Sequence, residues 1–121
     1  MKKITTLFIL VLSSFLAFAP LAMADVIRIS KSEIKSSEDY EKYAQARAEN
    51  DKLHSAAKGF VSMTWYSDQK NLILGAVIIW KSEAEAKAFY DSPAYKEFYS
   101  KNIAPYVKER STNIYQIDEV K

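Results

Sequence analysis

The sequence predicts an α+β domain: a four-stranded antiparallel sheet with helices on one face, in chain order β-α-β-β-α-β. Three observations predict it. Short runs rich in β-branched and aromatic residues recur at 26–30, 60–66, 71–80 and 112–120. Two intervening segments carry apolar residues at spacings of three and four, the period of a helix buried on one side. Serines stand in front of the helical segments, where a hydroxyl can accept from a free backbone amide. With right-handed crossovers this order folds as the ferredoxin-like plait.

The first 24 residues stand apart from that pattern. Lys2 and Lys3 precede an apolar run from Leu7 to Leu21, and Ala22-Met23-Ala24 places small residues before Asp25. This is the layout of a secretory signal peptide. The run is shorter than the roughly 20 apolar residues of a spanning helix. The expectation is cleavage after Ala24, export to a periplasm or beyond, and one domain at 25–121.

Of the 17 basic residues, two fall in that leader, so 15 remain against 15 acidic ones. A neutral chain without a basic stripe argues against nucleic acid and against a membrane surface after cleavage. The chain has no cysteine and one histidine, so no metal site is expected. It also lacks a glycine-rich nucleotide loop, and no cofactor is expected.

The elements follow in order. Val26–Ser30 is strand one. Ser36 caps a helix reaching about Lys58, with Gly59 as its stop. Its inner stripe is Tyr40, Tyr43, Ala46, Arg47, Asn50, Leu53, His54 and Ala57, polar for a core face. Phe60–Tyr66 is strand two. A polar loop, Ser67–Lys70, leads to strand three, Asn71–Trp80. Ser82 and Glu85 form a capping box for a helix ending near Asp91. Ser92-Pro93 restarts a helix that runs to about Ile103, before Pro105. Thr112–Val120 is the last strand.

Strand three is apolar on both faces: Leu72, Leu74, Ala76, Ile78 and Trp80 on one, Ile73, Val77 and Ile79 on the other. A half-solvated antiparallel strand alternates apolar and polar. The helices can cover one face only, so a second copy, in a homodimer, is expected on the other.

The run KGFVSMTWYSD…NLILGAVIIWKSEAEAKAFYDSPAYKEF resembles the antibiotic biosynthesis monooxygenase (ABM) domain of the dimeric α+β barrel superfamily. The shared features are the Gly-Phe opening strand two, the Trp ending strand three, the acidic helix after it and the Ser-Pro restart. The resemblance spans about residues 26–107. It implies a dimeric α+β barrel with a pocket between helices and sheet in each subunit. It also implies cofactor-independent oxygenation of a small aromatic or quinol-like substrate. A non-catalytic, ligand-binding dimer of the same fold is the alternative. The haem-degrading branch of this family keeps Asn, Trp and His where this chain has Arg28, Phe89 and Tyr99, which argues against haem degradation.

Candidate catalytic residues are His54, the histidine type most used for general acid–base work, and Asn50 as a polar anchor on the same stripe. Arg28, Trp65, Tyr66, Phe89 and Tyr99 are candidates for the substrate pocket. Trp65 and Tyr66 point to opposite faces of strand two. Trp80 reads as core, as do Tyr95 and Phe98 on the inner stripe of the last helix.

Overall fold

A computed structural model describes residues Asp25–Asp118. The leader reading and the last residues of the expected fourth strand lie outside them. The elements are β1 (Val26–Ile34), α1 (Ser37–Gln45), α2 (Arg47–Ser55), β2 (Phe60–Asp68), β3 (Ile73–Trp80), α3 (Glu83–Tyr90), α4 (Pro93–Asn102), a 3-10 turn (Ala104–Tyr106) and β4 (Val107–Gln116). The sheet order is β2-β3-β1-β4, and every neighbouring pair is antiparallel. β1 and β2 are therefore parallel across β3, and β3 and β4 parallel across β1. Two interleaved β-α-β units of this kind make the ferredoxin-like plait.

The expected first helix is two. At Ala46 the backbone N–H bonds to Tyr43 O, three residues back, and the chain tightens for a turn. Arg47 Nε donates to the Ala44 carbonyl beside this break. The inner stripe survives it, because Tyr40, Tyr43, Asn50 and His54 are all buried. The helix also ends earlier than Gly59 suggested. Ala57 N–H turns back to His54 O, and Gly59 takes up φ +86 after that turn.

β4 starts at Val107, well before Thr112. Its Lys-Glu-Arg opening conceals the strand period, but β4 is an edge strand, where charged side chains are the rule. These residues pair with the second half of β1, which extends to Ile34 for the same reason.

All three serine caps form: Ser36, Ser82 and Ser92 accept from the amides of Asp39, Glu85 and Tyr95. The Glu85 carboxylate, expected to reach the Ser82 amide, accepts from the Ser82 hydroxyl instead, at 3.1 Å.

Register assigns the faces. Val26, Arg28, Ser30 and Ser32 of β1 share the helix side with Leu74, Ala76, Ile78 and Trp80 of β3. Ile27, Ile29, Ile73, Val77 and Ile79 fall on the outer side and are half-buried. A bulge at Val61 shifts the β2 register, which returns Phe60 to the helix side with Met63 and Trp65. Tyr66 lies on the outer side. Its ring covers Gly75, and its hydroxyl donates to Ser30 O at 2.8 Å.

A Cβ on Gly75 would lie 2.1 Å from the Tyr66 ring and 2.4 Å from Ser30 O. Gly75→Ala should therefore lose about 1–3 kcal/mol, the usual cost of overpacking. Urea denaturation checks this: the midpoint should fall with an unchanged slope.

Candidate functional site

Arg28 projects from β1 and Arg110 from β4, both on the helix side. Their long side chains reach a cleft between the sheet and α4. Tyr90 closes α3, and the Pro93 start of α4 then sets Tyr95 and Tyr99 four residues apart on one helix face. Lys96 and Ser100 complete the lining of a cleft of about 400 Å³. The Arg28 guanidinium carbon lies 3.8 Å above the Tyr90 ring centre, and that of Arg110 lies 5.0 Å from the Tyr99 centre. Both are cation–π distances. The rings also pack on one another: Tyr90 to Tyr95 is 5.0 Å and Tyr95 to Tyr99 is 6.1 Å.

Arg28 and Tyr90 also border a second groove, of about 340 Å³, which continues past Val26, Ala86 and Ile114. The Arg28–Tyr90 stack thus separates two openings along the same side of the sheet.

His54 sits behind that stack. It is 1% exposed and is ringed by Phe60, Trp80, Phe89, Tyr90 and Tyr95. Nδ1 lies 2.9 Å from the Asn50 carbonyl and Nε2 lies 3.0 Å from the Tyr90 hydroxyl. A carbonyl can only accept, so Nδ1 carries the proton and Nε2 accepts from Tyr90 in the neutral ring. Burial lowers the imidazole pKa to about 4, against the partial support of its hydrogen bond to Asn50. Burial likewise raises the Tyr90 hydroxyl to about 12, although nearby Arg28 opposes the shift.

The remaining candidates are distributed as follows. Arg28 and Tyr99 line the cleft. His54 does not line it, but packs against Tyr90 and Tyr95, which do. The Asn50 side chain is buried, and its Oδ1 has no hydrogen-bond partner among the described residues. Phe89 packs against His54 and Trp80, with centroids at 4.6 and 5.3 Å. Trp65 is on the helix side but at another place, where Nε1 donates to Asp51 Oδ1 at 2.7 Å and the ring meets Tyr43 edge-on. Tyr66 is on the opposite side of the sheet from the cleft.

Sequence reasoning missed Tyr90 and Arg110 and assigned Tyr95 to the core. Tyr95 is indeed 7% exposed, yet it also forms a wall of the cleft. Tyr90 had one available signal, its position as the last aromatic before the Ser92-Pro93 restart. Arg110 had none, because its segment read as a loop.

The His54 shift has a measurable consequence. Its folded pKa, about 4, lies below the ordinary 6.5, so the unfolded chain binds the extra proton first as pH falls. Stability should be full above about pH 6.5 and decline toward pH 4, by up to about 3 kcal/mol. Denaturation across that range should show this slope, and His54→Phe should flatten it.

No family model matches the chain, and no curated protein matches it in sequence. Solved structures do. A conserved protein from Methanosarcina mazei Go1 superposes with a TM-score of 0.70 at 19% identity, over 80% of this chain and 96% of that one. A candidate antibiotic biosynthesis monooxygenase from Nitrosomonas europaea gives 0.68 at 16% identity, over 78% and 90%. SnoaB, a cofactor-independent oxygenase from Streptomyces nogalater, gives 0.64 at 10% identity, over 80% and 96%. The chain thus has the α+β fold of the antibiotic biosynthesis monooxygenase-like proteins.

Proposed function

We propose that this protein is an exported, homodimeric, cofactor-independent monooxygenase of a small aromatic, quinol-like substrate. One observation carries the reading: the cleft pairs three tyrosine rings with two arginines that stack on them. The rings offer a slot for a flat aromatic molecule. The guanidiniums favour the deprotonated form of a bound phenol, since a positive charge within a few ångströms lowers the pKa of an acid by about 1–3 units. The likeness to SnoaB adds a fold in which such chemistry occurs.

The reaction balances without a cofactor. The phenolate passes electron density to dioxygen through the ring carbon opposite its oxygen. A carbon–oxygen bond forms there, the O–O bond then breaks, and the second oxygen leaves as water. The substrate loses two hydrogens, gains one oxygen and supplies all four electrons. Tyr90 orients the ring, and the neutral His54 holds the Tyr90 hydroxyl in place. With its pKa near 4, His54 is too weak a base to take the substrate proton through Tyr90, so it acts as a positioning residue.

The competing reading is a ligand-binding dimer without catalysis. It is favoured by the fact that the one imidazole of the chain does not line the cleft. Oxygen uptake with a panel of phenols and quinols separates the two. The oxygenase should consume one O₂ per quinone formed, and Arg110→Met should lower kcat/KM at least about tenfold. Tight ligand binding with no oxygen uptake across the panel would sink the oxygenase reading.

Homodimerisation is supported by the outer sheet side, where Ile27 and Ile29 pair directly with Ile79 and Val77 and form an apolar patch. Export is supported by the basic and apolar leader. Sedimentation equilibrium should give a dimer, and Val77→Lys should give a monomer. A monomeric parent protein would contradict the dimer.

A further inference from the structure

We propose that the natural ligand of the cleft is a hydroxyaryl carboxylate rather than a neutral phenol. The hydroxyl rests on the oxygenase reading; the carboxylate does not. Three observations point to it.

The cleft is positive in a chain that is otherwise balanced. Arg28, Arg110 and Lys96 line it, and no carboxylate does. Among the described residues three lysines pair with acids one helical turn away, Lys42 with Glu38, Lys87 with Asp91 and Lys101 with Glu97, and the other cations do not. Neither arginine belongs to an ion pair in that set. Two guanidiniums and an ammonium lining one cleft repel one another, which a bound anion would offset.

Both arginines hold a buried N–H without a partner. Arg28 Nε and Arg110 Nη1 are shielded from solvent and make no hydrogen bond among the described residues. Neither atom is reached from the open cleft as it stands, so they show that each guanidinium keeps a donor that the protein itself does not use.

The two arginines enter the cleft from different strands. Arg110 stands opposite Ser32, four residues along β1 from Arg28, and each guanidinium is braced on a different tyrosine. A flat ligand with two acidic oxygens can meet each guanidinium with a different one, its ring on the tyrosine faces. A carboxylate is charged throughout the neutral pH range, whereas an unperturbed phenol, with a pKa near 10, is not. The carboxylate therefore gives the stronger and earlier capture.

The experiment is a calorimetric titration of the full-length protein at pH 7 with 5-hydroxy-1-naphthoate, its carboxamide, and 1-naphthol. The carboxylate should bind at least about tenfold tighter than the carboxamide, and high salt should shrink the difference. One of Arg110→Met and Arg28→Met, the one that removes the carboxylate's partner, should reduce the preference for carboxylate over carboxamide at least about fivefold, and the other should weaken both ligands. Should one variant fail to fold, the other and the salt dependence of the parent protein still decide.

Equal or tighter binding of the carboxamide, or binding of neither, overturns the proposal. So does equal weakening of the two ligands in both variants. Oxygen uptake separates this result from the function above. Turnover of 1-naphthol without a carboxylate preference would leave the oxygenase standing and remove this inference. Carboxylate-selective binding without oxygen uptake would do the reverse.

Discussion

The hydrogen bond from the Tyr90 hydroxyl to His54 Nε2 is the constraint on which the cleft depends. It joins the end of α3 to the last turn of α2, two elements far apart along the chain. The Asn50 carbonyl fixes the tautomer from the other side, so His54 can only accept from Tyr90. The surrounding cage of Phe60, Trp80, Phe89 and Tyr95 excludes water, which strengthens the bond and keeps the imidazole neutral. Tyr90 is thus held in one orientation, and Arg28 can stack on a ring that does not move. A histidine buried for this purpose reduces stability in acid, a cost the fold accepts to position one tyrosine.

Around that bond the protein separates its chemistry by side of the sheet. On the helix side, the register places Trp80, Ile78 and Leu74 under the helices and leaves Arg28 and Arg110 toward the β4 edge. The bulge at Val61 is part of the same arrangement. Without it, Phe60 would point away from His54 and Trp80, which it meets at 6.2 and 5.8 Å. On the outer side, Tyr66 lies flat over Gly75, and the isoleucines stand unpaired by any helix. A cleft and an apolar patch therefore share one sheet, with no side chain common to both.

The fold was largely legible in the sequence. Element order, three serine caps and the two-faced β3 follow from local rules that tertiary contacts do not override. Boundaries were less legible. The Ala46 break leaves the apolar stripe intact, so nothing in the periodicity marks it. The start of β4 is concealed because edge strands tolerate charge and so lose the alternating signal.

By itself, the sequence determined the architecture and the polar character of the inner helix stripe, including Asn50 and His54, because both are set by the spacing of residues within one element. Only the tertiary structure decided what those residues do. Arg28 from β1, Tyr90 from α3, Tyr99 from α4 and Arg110 from β4 lie far apart in sequence. Strand order and register bring them together, and those are fixed by how the whole sheet pairs rather than by any local pattern. The same pairing sent Tyr66 to the far side of the sheet and enclosed His54 behind Tyr90, so the residue with the most versatile chemistry supports the cleft without opening into it.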